Sequence, residues 1–248
     1  MNFNILRFDS IDSTNTEAAN QARLGADECV CVIARQQTAG RGRHGRTWIS
    51  EKDSGLYFSI VLRPQIEARF LSLITLMTGV AVYDTLNEFG LKPDIKWVND
   101  VLVGEKKICG ILAETVETAR GLAVIVGIGI NLTNSNFSDE IADTATSIQA
   151  VLSAPGAVAA GDVEPTLTKY ISYWYAILNR EDGPKELVDE WQRRSSYFSG
   201  KDVRVTLANE TFEGVTDGIE ENGALRVKRS DGSVTIVQAG DVERLREV

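Results

Sequence analysis

The sequence predicts an α+β protein, a mixed β-sheet flanked by helices with a small all-β module at its C-terminal end. Two observations carry that prediction. Up to Arg194, buried strand-like runs alternate with long stretches of helical apolar spacing, whereas from Lys201 onward only short alternating runs separated by turn residues remain. With 248 residues, 43% of them hydrophobic, the chain can bury one large core and a second, smaller one. The expected division is 1–195 and 196–248.

Taken in order, Thr14 followed by Glu17 is a capping-box pattern for a helix closing at Gly25. Val30 to Arg35 reads as a buried strand, and Gly55 to Arg63 is β-branched and aromatic enough for another. From Arg69 to Phe89 apolar residues recur at helical spacing with Gly90 just past the end, the pattern of a long helix packed on a sheet. Four strands follow: Asp94 to Trp97, Val101 to Val103, Ile108 to Thr115 and Leu122 to Ile130, with Gly104-Glu105 as a hairpin turn between the middle two. Ser153 to Gly161, rich in alanine and glycine, reads as a surface connection, and Glu164 to Asn179 and Pro184 to Arg194 as helices. Beyond them, Val203 to Leu207, Phe212 to Val215, Ala224 to Lys228 and Val234 to Val237 alternate between turn signals. About fifty residues of this kind suit a small barrel of the SH3-like type.

A net charge of −9 argues against a protein that wraps nucleic acid, which normally needs a basic face. Met1 to Phe8 has no long apolar run and no segment is long enough to span a bilayer, so the expectation is a cytoplasmic protein with no membrane partner. Cys29, Cys31 and Cys109 cannot all pair and each sits in an apolar stretch, as buried thiols do.

Against that acidic background one loop stands out, Gly40-Arg-Gly-Arg-His-Gly-Arg-Thr-Trp48. Its glycines let backbone N–H groups converge on an anion, and Arg41, Arg43 and Arg46 add fork-shaped charged donors suited to phosphate. Gly40-x-Gly42-x-x-Gly45 satisfies the dinucleotide-binding pattern, and Gly40 to Thr47 misses the P-loop by one residue. Both need a helix opening directly on the glycines; here a strand follows instead, so both are rejected. A solvated basic turn would explain one or two arginines, not three alternating with glycines.

Two further clusters accompany it. Lys96-Trp-Val-Asn99-Asp100 precedes Lys107-Ile-Cys-Gly110-Ile-Leu-Ala-Glu114, so that Asp100 at a bend suits Mg²⁺ or a polar ligand and Lys107 suits the same pocket. Taken alone, Asp100 reads more simply as a turn residue and Lys107 as a solvent-facing one. Gly127-Ile-Gly129-Ile-Asn131 puts two glycines on one strand face, against which either backbone packing or a ligand lies flat.

Together, Ser13-Thr14-Asn15, the Gly40 to Trp48 loop, Lys96-Trp-x-Asn99-Asp100, Lys107-x-x-Gly110-Ile-Leu-x-Glu114 and Gly127-x-Gly129-x-Asn131 resemble the biotin protein ligase signature in type, order and spacing. The resemblance covers nearly the whole chain. It implies a catalytic domain with the mixed sheet of the class II aminoacyl-tRNA synthetase/biotin ligase kind and a small SH3-like domain after it. It further implies activation of biotin by Mg²⁺ and ATP to biotinyl-5′-adenylate, then transfer to one lysine of a biotin carboxyl carrier domain. On that basis Lys107, Arg41 and Arg43 would be catalytic, and Ser13, Thr14, Asn15 and Gln37 would meet the ureido ring. Gly40, Arg41, Arg43, Lys107, Gly110 and Gly129 would line the biotin groove. Arg41, Arg43, Arg46, Trp48, Asn99, Asp100, Lys107 and Asn131 would serve ATP, with Trp48 over the adenine.

One departure from the family pattern is Val98, where proline is usual; it removes no polar group, and no loss of activity is expected. Because the Ser13 motif begins almost at once, the expectation is a monofunctional ligase without an N-terminal helix-turn-helix domain. The alternatives are a lipoate-type ligase using the same adenylate chemistry and a non-catalytic biotin or adenylate sensor, the latter disfavoured by Lys107. Mg²⁺ ligands are not legible. A homodimer would pair through an edge offered by the strand from Leu122 or by the C-terminal module.

Overall fold

The computed structural model describes residues 1–134, 137, 139–152, 158–238 and 240–244. Seven strands form the first sheet: β1 (Asn4–Phe8), β2 (Val30–Ala34), β3 (Gly55–Leu62), β4 (Pro93–Lys96), β5 (Asp100–Val103), β6 (Lys106–Thr118) and β7 (Gly121–Asn131). Their order is β1-β2-β3-β7-β6-β5-β4, with β1 and β2 parallel and every other pair antiparallel. This is the mixed sheet the sequence predicts. Every residue of β2 and β3 is buried, because helices cover both faces of the sheet. On one face, Ala18 and Ala22 of α1 (Thr14–Arg23) pack on Val30, Val32, Val61, Val116, Ala123 and Ile125. The other face meets α2 (Leu73–Glu88), behind which pack two helices from later in the chain.

Element ends moved where local chemistry overrides pattern. The first helix is capped at Ser13, not Thr14, and no side chain closes a capping box; the Thr14 hydroxyl donates to Gln37 instead. A separate 3₁₀ turn at Ala68–Phe70 takes up the start of the expected long helix. Two short helices not foreseen, α3 (Asp139–Ala142) and α4 (Ile148–Leu152), follow β7. Residues 153–157 of the expected Ser153 to Gly161 connection lie outside the described residues, and α5 (Ala160–Leu178) already includes its end. The last helix of this part is α6 (Gly183–Arg194). The strand from Leu122 is not an edge: β7 is paired on both sides, by β3 and β6, so the free edges belong to β1 and β4.

The C-terminal part is a five-stranded antiparallel sheet of β8 (Ser199–Thr206), β9 (Thr211–Ile219), β10 (Leu225–Lys228), β11 (Val234–Val237) and β12 (Asp241–Arg244), in the order β11-β10-β9-β8-β12. It has the SH3-like strand content but is an open sheet, not a closed barrel: among the described residues β11 and β12 do not pair. The backbone between them is committed elsewhere, since the Gly240 carbonyl accepts from Arg43. All three cysteines are free and buried, and burial raises each thiol, Cys29 to about 11.

The two sheets meet at a polar seam with an apolar floor. Trp97 Nε1 donates to the Gly223 carbonyl (2.9 Å), and Ser72 Oγ to that of Asn222 (2.6 Å). Gly223 has φ +83°, and a Cβ there would lie 2.6 Å from Leu76 Cδ1 and 2.9 Å from Leu73 Cδ2 of α2. Gly223→Ala combines a left-handed backbone with overpacking and should destabilise the protein by about 2–4 kcal/mol, read as a lower urea midpoint. An unchanged midpoint would show that the seam is loose.

Candidate active site

The odd-numbered residues of β7 face α1. Ala123 and Ile125 are covered by the helix, but the next two on that face are Gly127 and Gly129, level with and beyond the helix N-terminus. Removing side chains there leaves a cavity of about 610 Å³ against β6 and β7. Gly110 pairs directly with Gly129 across the ladder, so the floor is glycine on both strands.

Beside it stands a polar group from the start of α1. Thr14 N–H and hydroxyl both donate to Gln37 Oε1 (2.8 and 3.0 Å), and Gln37 Nε2 donates to Ser50 Oγ. Asn15 lies on Gly127, where a Cβ would come within 2.2 Å of its Oδ1. Ser13, Thr14 and Asn15 are all buried and line the cavity with Gln37.

Lys107 reaches the same face by a register shift. Between β5 and β6, Val101 pairs with Cys109 while Leu102 pairs with Lys107, leaving Ile108 as an extra residue. This bulge turns Lys107 toward the face of Gly110, which strict alternation would deny it; Nζ lies 3.2 Å from where a Gly110 Cβ would stand. Nζ pairs with Asp100 Oδ1 at 2.7 Å. Asn99 holds its strand neighbour, donating to the Ile111 carbonyl, and Asn131 Nδ2 donates to the Thr146 carbonyl (3.0 Å). The Trp97–Val98 peptide is cis.

The arginine loop folds as a small hairpin. Trp48 N–H donates to the Gly40 carbonyl, Gly42 N–H to that of Arg46, and a turn at Arg43–Gly45 with His44 (φ 54°) and Gly45 (φ 73°) in left-handed conformations closes it. Gly40 does not line the cavity; it packs behind it, a Cβ there falling 2.3 Å from the Trp48 carbonyl. All the other expected site residues line the cavity. The Trp48 indole lies on the glycine floor, its Nε1 and Cε2 each 2.5 Å from the position of a Gly129 Cβ and its Cζ3 2.9 Å from that of Gly110.

The cations differ in their partners. Arg41 is held bidentately by Glu114 (2.9 and 2.8 Å), Arg46 by Asp241 (2.5 Å) and Lys107 by Asp100. Arg43 Nη1 instead donates to neutral acceptors, Asn99 Oδ1 (3.2 Å) and the Gly240 carbonyl (3.3 Å). Burial lowers its pKa, offset in part by the charges of Asp241 and Asp100. A half-buried guanidinium on neutral acceptors is the strongest attractor for an anion in the cavity.

Sequence reasoning missed the wall made by Gly240, Asp241 and Val242 of the C-terminal sheet, and the lining by Phe137, Ile141 and Thr144. Nothing local marks those residues. Glu114 stood inside a quoted motif without a role.

The profile of the biotin/lipoate A/B protein ligase family matches residues 7–131, and that of the biotin protein ligase C-terminal domain matches residues 198–245. The chain belongs to this ligase family. Among its relatives, the bifunctional ligase/repressor BirA of Bacillus subtilis is 34% identical over 247 residues, covering 98% of this chain and 74% of that protein. The biotin–[acetyl-CoA-carboxylase] ligase of Paracoccus denitrificans is 31% identical over 236 residues, covering 93% of this chain and 96% of the relative. Among solved structures, the biotin protein ligase of Aquifex aeolicus in complex with biotin and ATP is similar at a TM-score of 0.84 and 28% identity, covering 98% of this chain and 99% of the other.

Because the indole lies where a Gly129 Cβ would stand, Gly129→Ala should push it off the floor. The Trp48 indole N–H resonance, assigned with Trp48→Phe, should then shift while those of Trp97 and Trp191 stay. An unmoved resonance would contradict the contact.

Proposed function

We infer that the chain is an ATP-dependent biotin protein ligase that makes biotinyl-5′-adenylate and passes the biotinyl group to a lysine of a biotin carboxyl carrier domain. One observation carries the reading: Arg43, on neutral acceptors, and Lys107 converge on one cavity over a glycine floor beside the Ser13 to Asn15 group. The cavity thus offers an anion site, a flat slot and hydrogen-bonding groups for a polar ring. In the first step a carboxylate oxygen of biotin attacks the α-phosphate, and the bond to pyrophosphate breaks. In the second, the carrier amine attacks the mixed-anhydride carbonyl, forming the amide and releasing AMP and a proton.

The nucleophile of the first step belongs to the substrate, so the protein's task is charge neutralisation and alignment. Lys107 is the chief charge stabiliser, its ammonium shared between Asp100 and the phosphate. Arg43 and Arg46 hold the phosphate region and Arg41 roots the loop. Ser13, Thr14, Asn15 and Gln37 meet the ureido ring, Gly40 lets the loop lie close, and Gly110 and Gly129 form the floor. Asn99, Asp100 and Asn131 stand on the nucleotide side. Among the described residues no three His, Cys, Asp or Glu side chains gather into a metal cluster. A Mg²⁺ ion would be held by phosphate oxygens with the Asp100 carboxylate, where it supplies further charge neutralisation.

Trp48 and a ligand cannot share the glycine floor. Among the described residues the buried Trp48 Nε1 has no hydrogen-bond partner, a deficit of about 1–3 kcal/mol that favours leaving it. On this reading the indole moves to cover the adenine, and the loop becomes a lid that keeps water from the adenylate. We assign 1–195 to catalysis and 196–248 to the smaller unit that walls the cavity. Among the described residues no helix is long and apolar enough to cross a membrane, in keeping with a cytoplasmic enzyme. A homodimer through the first sheet would use its β1 or β4 edge.

Incubation with ATP, Mg²⁺ and biotin should release pyrophosphate; release with lipoate but not biotin overturns the reading, and release with neither favours a sensor. Lys107→Ala should slow adenylate formation about 10²–10³-fold while biotin affinity changes little, because its interaction strengthens as charge develops. Equal losses in both would remove Lys107 from that role. Arg43→Ala should keep the wild-type melting temperature but release the adenylate faster, followed by filter retention of labelled biotinyl-adenylate. An unfolded variant would show the loop to be structural.

A further inference from the structure

We propose that Glu114 is a positioning residue that joins the two halves of this site, fixing the Asn15 amide toward biotin and anchoring the arginine loop; this rests on the biotin-ligase reading. Glu114 follows Leu112 on the cavity face of β6. Its carboxylate accepts three hydrogen bonds: Arg41 Nη1 on Oε1 (2.9 Å), Arg41 Nη2 on Oε2 (2.8 Å), and Asn15 Nδ2 on Oε2 (2.9 Å). One side chain thus holds the start of α1 and the root of the loop, which lie far apart in sequence.

The consequence for Asn15 is a defined polarity. Its Nδ2 gives one hydrogen to Glu114 and the other to the Leu112 carbonyl (3.2 Å), while its Oδ1 faces Ser59 Oγ (2.7 Å), a hydroxyl also placed to donate to Thr14. A flipped amide would set Oδ1 against a carboxylate and a carbonyl oxygen, replacing two hydrogen bonds with two repulsive contacts. Asn15 therefore presents acceptor capacity alone, which selects N–H donors such as those of a ureido ring. Removing the Glu114 charge removes the larger part of that preference.

The consequence for Arg41 is electrostatic. Bidentate pairing neutralises its charge and fixes the plane of its fork, so it serves as a strut. The pair is half exposed, with side chains 45% and 34% accessible, and such pairs contribute little to stability. Its effect is geometric. With Arg41 fixed, the two ladder hydrogen bonds of the loop hairpin are held over the cavity, and Arg43 is carried to Asn99 and Gly240.

The test is Glu114→Gln in the full chain, with Glu117→Gln, on the same strand, as control. Glutamine keeps the shape but turns an N–H donor toward Arg41 or Asn15. Biotin affinity by calorimetry without ATP should fall about tenfold, and trypsin should cut the ligand-free loop after Arg43 or Arg46 at least about fivefold faster, with the thermal midpoint nearly unchanged and kcat reduced less than KM rises. Glu117→Gln should alter none of these. Unchanged biotin affinity, an equally resistant loop, or a change in one without the other overturns the proposal, since one carboxylate is assigned both tasks. Should Glu114→Gln not fold, Arg41→Gln must reproduce the faster cleavage, and a resistant loop there is equally fatal. A wild-type protein that makes no pyrophosphate from biotin and ATP overturns the ligase reading; an active wild type with an unaffected Glu114→Gln overturns only this inference.

Discussion

The close approach of other groups to a sheet face without side chains underlies the whole site. Gly110, Gly127 and Gly129 leave β6 and β7 bare just where α1 begins, and Asn15 and the Trp48 indole lie within contact distance of their missing Cβ atoms. A single methyl at either β7 position would meet an atom within 2.5 Å. The cavity, the flat slot and the position of the loop all follow from it. The rest of the same face, where Ala123 and Ile125 carry side chains, is filled by α1 and belongs to the core.

Charge is then distributed unevenly over that floor. Of the three loop arginines and Lys107, three are answered by carboxylates drawn from three elements: Glu114 from β6, Asp100 from β5 and Asp241 from β12. Arg43 is the exception, and its neutral partners leave its field directed into the cavity. In a chain of net charge −9, such local focusing is how an anion is drawn to one place without a basic surface.

Much of this was legible in the sequence because glycine, arginine and tryptophan report close approach and anion chemistry with little dependence on context. Six of the seven strands of the first sheet were found within a few residues, most of them bounded by turn residues and rich in buried β-branched side chains; β1, the parallel edge strand at Asn4–Phe8, was missed. What escaped depends on pairing. That Lys107 turns inward is set by an extra residue opposite Leu102, a property of two strands together. That the strand from Leu122 is interior, and not an edge, is likewise decided by its neighbours on both sides. Thr14 reads as a cap until Gln37, from a different turn, claims its hydroxyl. Asp241 sits in an unremarkable Ala-Gly-Asp stretch and becomes part of the wall only when the second sheet docks.

That docking has a consequence for the order in which the molecule is made. Arg46 and Asp241 are separated by 195 positions, and Arg43 and Gly240 by 197, yet they close the same cavity. A nascent chain emerging from the ribosome carries the arginine loop long before its counterpart exists. The loop's outer anchors therefore form only after β12 has been synthesised, since Asp241 follows Arg46 by 195 positions. Partial translation products have the glycine floor and the arginines, but not the wall that brings Arg43 to rest.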